Sequence, residues 1–284
     1  MCGRSALGVV DAVRRPSLDA PVNGVGRRGP VLLLLGVVLV AAGCTEGGRD
    51  GGPPRTTSAR SSSPPVTRSA AYGIPCLRSD ERAAAFRFRV GQGFDTVGVV
   101  LGEGRDGLVF GHERGSNLCE WVPTARAYAR LGYRALVITF HDQDRLDDDV
   151  IAAVGELRRR GVARVVLVGS SMGGTAVLVA AGRIRPMVAG VVSLSGAAVF
   201  AGMDARVVVP RLRVPALFIA AKGDGPFPAA ARGLYGAAGT RDKELLMLSS
   251  AAHGTNLLWF GREGGKARAV LRRFITSHLG RDGR

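Results

Sequence analysis

Residues 164–183 read RVVLVGSSMGGTAVLVAAGR. The apolar run RVVLV predicts a buried strand over Arg164–Val168, and GGTAVLVAA predicts a helix over Gly173–Ile184. Between them, Gly169-Ser170-Ser171-Met172-Gly173 fits the pattern G-x-S-x-G. A serine on a sharp strand-to-helix turn is pushed out above the edge of the sheet. Gly169 and Gly173 let the backbone make that turn. Ser171 is therefore the candidate nucleophile, with Ser170 the variable residue before it.

The same alternation of short apolar runs and amphipathic stretches extends in both directions. Upstream, Phe86–Val90 and Thr96–Leu101 predict an antiparallel opening hairpin, and Leu108–Gly111 a third strand. Trp121–Leu131 has helical spacing and stops at Gly132; Arg134–Phe140 reads as a buried strand. Asp147–Arg160 predicts a helix with acidic residues Asp147, Asp148 and Asp149 at its start and Arg158, Arg159 and Arg160 at its end, matching the helix dipole. Downstream, strands are expected at Val188–Leu194, Val214–Ala220 and Glu244–Leu248, and helices at Pro228–Ala238 and Lys266–His278. Strands alternating with helices imply an α/β fold, a mostly parallel twisted sheet with helices on both faces. Only a short segment, Gly196–Pro215, separates two of these strands, so no large lid domain is expected.

A serine hydroxyl needs a base. His253 lies on the loop after the last strand, at the C-terminal end where functional loops collect. The other histidines are His112, His141 and His278, the last in the terminal helix. The base needs a carboxylate to orient it. Asp224 follows the strand PALFIA, one strand before His253, and Asp204 is the fallback. The oxyanion of a tetrahedral intermediate needs two convergent N–H donors. Met172 supplies one from the helix start. The loop after the third strand supplies the other, from Arg114 or, second, Glu113.

The quoted elements occur in the order VFGHERGS, WVPTARAYARLGYRALVI, VLVGSSMGG, VPALFIAAKGD and AAHGTNLL. In this the chain resembles the α/β-hydrolase superfamily, in its compact, dienelactone-hydrolase-like or serine-esterase branch. That resemblance implies an α/β-hydrolase fold, a Ser171-Asp224-His253 triad and no cofactor or metal. The chain departs from the superfamily pattern at His-Glu-Arg-Gly in the oxyanion loop and at HDQDRLDD after the fourth strand, both at the rim of the pocket.

The N-terminal region reads differently. VLLLLGVVLVAA at residues 31–42 is too short to span a membrane, which takes about 20 residues. It follows Arg27 and Arg28 and ends Ala41-Ala42-Gly43-Cys44, which resembles a bacterial lipobox. The expectation is a lipoprotein-type signal over 1–43, lipid on Cys44, a Gly/Pro/Ser/Arg tether over 44–75 and a catalytic domain over 76–284. An ordinary cleaved signal with an incidental Cys44 is the alternative. The product would sit on the outer face of the cell membrane, or be secreted if Cys44 carries no lipid. Outside the reducing cytoplasm, the remaining Cys76 and Cys119 are expected to form a disulfide worth about 4 kcal/mol; the alternative is two buried thiols.

The net charge of +16 does not indicate nucleic-acid binding. Nearly all the basic residues are scattered Arg, and aromatics make up 6%, too few for stacking platforms. The expected activity is cleavage of small or short-acyl carboxylic esters. An acyltransferase using the same triad on envelope alcohols and a non-catalytic surface lipoprotein are the competing readings.

Overall fold

The computed structural model describes residues 74–91, 93–141 and 144–280. The expected signal, Cys44 and almost all of the expected tether lie outside these residues. The strands are β1 (Ala85–Val90), β2 (Phe94–Leu101), β3 (Asp106–Gly111), β4 (Arg134–Thr139), β5 (Arg164–Ser170), β6 (Gly190–Leu194), β7 (Val199–Phe200), β8 (Met203–Asp204), β9 (Ala216–Ala221) and β10 (Lys243–Leu248). The helices are α1 (Ser79–Arg82), α2 (Val122–Arg130), α3 (Asp147–Arg159), α4 (Met172–Arg183), α5 (Ala205–Val208), α6 (Phe227–Ala237), α7 (Asn256–Trp259) and α8 (Gly261–Leu279).

Eight strands form one sheet in the order β1-β2-β4-β3-β5-β6-β9-β10. β2 runs antiparallel to both its neighbours, and the pairs from β4 to β10 are parallel. The expected opening hairpin and parallel sheet are both present. Successive strand residues feed opposite faces, as the pleat requires. In β5, Val165 and Leu167 join the core beneath α3, α4 and α6, while Val166 and Val168 join the core beneath α2 and α8. This is why the central strands read as unbroken apolar runs.

Several boundaries differ from the sequence reading for physical reasons. β5 runs on to Ser170 because Gly169 and Ser170 still pair with Ser193 and Leu194 of β6. α8 starts at Gly261 rather than Lys266; the glycines of GREGGK have low helix propensity and hid its first turn. Gly196–Pro215 carries no lid domain. It folds into the β7–β8 ribbon, α5 and a 3-10 turn at Val209–Arg211.

Cys76 and Cys119 are bridged, with Cα atoms 5.6 Å apart. The bridge fastens the segment before β1 to a 3-10 turn at Leu118–Glu120. Arg126 reinforces the same junction, donating to the Cys76 carbonyl at 2.7 Å and to Glu81 Oε1 at 2.6 Å. Among the described residues no helix is long and apolar enough to cross a membrane.

Candidate active site

The turn between β5 and α4 places Ser171 at φ 49° and ψ −114°. A non-glycine residue there costs about 1–3 kcal/mol and persists only if its surroundings hold it. Here the Ser171 amide donates to the Leu194 carbonyl at 2.7 Å, and the Thr175 amide donates to the Ser171 carbonyl at 3.1 Å. The two glycines are steric requirements. A Cβ on Gly169 would stand 2.2 Å from the Gly173 carbonyl oxygen, and one on Gly173 would stand 2.3 Å from that of Gly111. The amides flanking Met172 are both engaged: Ser171 N–H as above, and Gly173 N–H on the His112 carbonyl at 3.1 Å. The Met172 amide, at the first position of α4, has no hydrogen-bond partner among the described residues.

Asp224 follows β9 and His253 follows β10. The His253 Nδ1 lies 3.0 Å from both carboxylate oxygens of Asp224. That leaves His253 Nε2 as the nitrogen available for proton transfer. Phe227 lies against the imidazole with ring centroids 4.3 Å apart. The sequence reading missed Ser195, which is fully buried at φ 48° after β6. Its hydroxyl donates to Asp224 Oδ2 at 2.6 Å and accepts from the Gly254 amide at 3.2 Å. It thus ties the carboxylate to the histidine loop. Only its place at the C-terminal end of a strand could have signalled this role. No hydrogen bond joins Ser171 to His253 in this structure; such bonds are often long before substrate binds.

Asp204, the fallback acid, is elsewhere engaged. It caps α5, accepting from the Arg206 amide at 2.9 Å, and pairs with the Arg206 guanidinium at 2.7 Å. His278 packs on Phe274 in α8 and lies 3.9 Å from Asp242.

On the oxyanion side, a cavity of about 650 Å³ is lined by His112, Arg114, Phe140, His141, Met172 and Phe200, among others. Arg114 and Met172 therefore face one space. The Glu113 amide, the second expected donor, is engaged here, donating to Glu120 Oε2 at 2.9 Å. The Arg114 amide has no partner among the described residues. His112 is structural. A backbone amide can only donate, so the Phe140 N–H at 3.0 Å makes His112 Nε2 the acceptor and leaves the proton on Nδ1, which donates to the Glu113 carbonyl at 2.7 Å. Burial pulls its pKa down, keeping the ring neutral. Trp121 Nε1 donates to the Gly111 carbonyl at 2.9 Å and fixes the end of β3.

A family model for the dienelactone hydrolase family matches residues 112–254, from the oxyanion loop to the residue after His253. The chain belongs to the dienelactone hydrolase family. It is an α/β hydrolase, and the matched stretch contains every triad candidate. No curated protein matches it in sequence. A dienelactone hydrolase from Anabaena variabilis superposes with a TM-score of 0.57 at 22% identity, covering 68% of this chain and 96% of that one. The esterase domain of a Rhodothermus marinus protein does so with a TM-score of 0.57 at 22% identity, covering 69% and 99%. A Pyrococcus furiosus esterase gives a TM-score of 0.59 at 13% identity, covering 69% and 92%. These likenesses establish the shared fold. Among the described residues no group of three His, Cys, Asp or Glu could hold a metal ion.

Proposed function

We propose that this member of the family is a serine hydrolase that cleaves small or short-acyl carboxylic esters through an acyl-enzyme intermediate. The observation that carries the reading is the strained Ser171, half-buried on its turn, together with a His253 whose Nδ1 is held by Asp224. Ser171 Oγ attacks the ester carbonyl carbon while His253 Nε2 takes its proton. The amides of Met172 and Arg114 hold the resulting oxyanion. The carbon–oxygen bond to the alcohol then breaks, and His253 returns the proton to the leaving alkoxide. Water repeats the sequence and releases the acid. Asp224 keeps the imidazole in one tautomer and stabilises the imidazolium.

The substrate range follows from the walls. The β7–β8 segment contributes Phe200 and Ala201 to the cavity but forms no large amphipathic cover. A panel of esters of graded acyl length should show the highest kcat/KM with the shorter acyl chains. A rate jump as a longer ester passes its solubility limit would contradict this. Running the panel with a competing alcohol separates hydrolysis from acyl transfer, since a transferase would convert the alcohol to a new ester. The reading includes export with lipid on Cys44, supported by the apolar run before it and by a disulfide suited to an oxidising compartment.

A further inference from the structure

One buried acid beside this site takes no part in the mechanism above. Glu120 sits in the 3-10 turn that the Cys76–Cys119 bridge fastens. Its Oε2 accepts from the Glu113 amide at 2.9 Å, and its Oε1 accepts from the Ser170 hydroxyl. One side chain thus joins the oxyanion loop to the residue immediately before the nucleophile. The Glu113 side chain continues the connection. Its Oε2 is buried without a hydrogen-bond partner and lies against Gly254, the neighbour of His253; a Cβ there would stand 1.8 Å from that oxygen.

Resting on the serine-hydrolase reading, we infer that Glu120 is a positioning residue: in its neutral form it holds the two walls of the oxyanion hole in register, and in its ionised form it opposes the oxyanion. The Glu113 amide is held on Glu120, so the following peptide, which carries the Arg114 N–H, is turned toward the cavity. Ser170 is held from the other side, next to Ser171 and the Met172 amide. The tie survives either protonation state. The ionised carboxylate accepts both bonds. The neutral acid keeps the Glu113 amide on Oε2 and donates its own proton to Ser170 Oγ. The charge is what changes, and a negative charge behind the hole works against the one developing in it.

Burial pushes the Glu120 carboxyl up to about 7, and the hydroxyls of Ser170 and Ser116 and the Glu113 amide pull it back. The groups around it are few. Glu113, from the same loop, raises it further, and is itself raised by burial. From the loops after β10 and β9, His253 lowers and Asp224 raises the Glu113 carboxyl. The ends of β5 and β4 present hydroxyls: Ser170, and Thr139, which accepts from the Leu118 amide at 3.2 Å.

The test is kcat/KM for a short-acyl ester from about pH 5.5 to about pH 9.5 for the parent, Glu120→Gln and Glu120→Ala. In the parent the rate should fall about five- to tenfold on the alkaline side as Glu120 ionises. Glu120→Gln cannot ionise, so its rate should show no such fall. No alkaline fall in the parent, or the same fall in Glu120→Gln, overturns the inference. Glu120→Ala removes the tie and should lower kcat about tenfold or more with KM within about twofold; an unchanged kcat also overturns it. If the Ala variant does not fold, the Gln profile still decides. Ser171→Ala, run in parallel, reports on the underlying reading alone: activity retained there sinks the serine mechanism whatever the Glu120 profiles show.

Discussion

Two histidine–aspartate pairs stand at the ends of parallel strands in this molecule, built from the same chemistry and placed in opposite surroundings. After β10, His253 keeps 32% of its side-chain surface exposed, and its Asp224 partner is further held by Ser195. After β4, the His141 side chain is 7% exposed and Asp149 is fully enclosed. His141 Nδ1 lies 2.5 Å from Asp149 Oδ2, and the His141 amide donates to Asp149 Oδ1 at 3.2 Å. Phe94 stacks on the His141 ring at 4.8 Å. Burial pushes the Asp149 carboxyl up to about 6 although His141 draws it down. A histidine gripping a carboxylate therefore occurs twice, and His141 also lines the cavity that Arg114 and Met172 line. What sets the first pair apart is its neighbour: Gly254, next to His253, packs against the oxyanion loop and the elbow, and a Cβ on it would stand 3.6 Å from Ser170 Cβ.

Removing the carboxylate charge from each pair gives the largest contrast. Asp224→Asn should lower kcat about 10³- to 10⁴-fold with little change in KM, because the imidazole loses its tautomer. Asp149→Asn should leave kcat within about threefold and cost about 2–4 kcal/mol of stability in a denaturant titration. The reverse pattern would make His141 the base and dissolve the comparison.

A smaller effect sharpens it. Ser195→Ala deletes the hydroxyl bond that Asp224 accepts beyond its contact with His253, and leaves the Gly254 amide unpaired. It should lower kcat about tenfold while the substrate panel keeps its order of preference. A variant with full kcat would reduce Ser195 to packing.

The fold was readable from the chain because its signals are local. The run VVLV and the turn glycines Gly169 and Gly173 each depend on a few neighbouring residues. What stayed hidden depends on residues far apart in sequence. Asp147, Asp148 and Asp149 read as one cluster at a helix start, but the fold divides them: Asp147 and Asp148 pair with Arg183, and Asp149 turns to His141. Glu113 and Arg114 both had the sequence position of an oxyanion donor. The fold separates them: the Glu113 amide donates to the Glu120 carboxylate, while Arg114 lines a cavity together with Met172. Ser195 shows no motif, because its hydroxyl acts on a carboxylate 29 residues on, in the loop after β9.

We propose Ser171, and not its neighbour Ser170, as the nucleophile that His253 serves. A fluorophosphonate probe tests it most directly, with the labelled residue located by peptide mapping. Stoichiometric labelling is expected on Ser171 in the parent, none in Ser171→Ala, and labelling slowed at least about 10³-fold in His253→Ala. Labelling of the Ser171→Ala protein at the parent rate, or a modified peptide carrying the probe on any other residue, would contradict it.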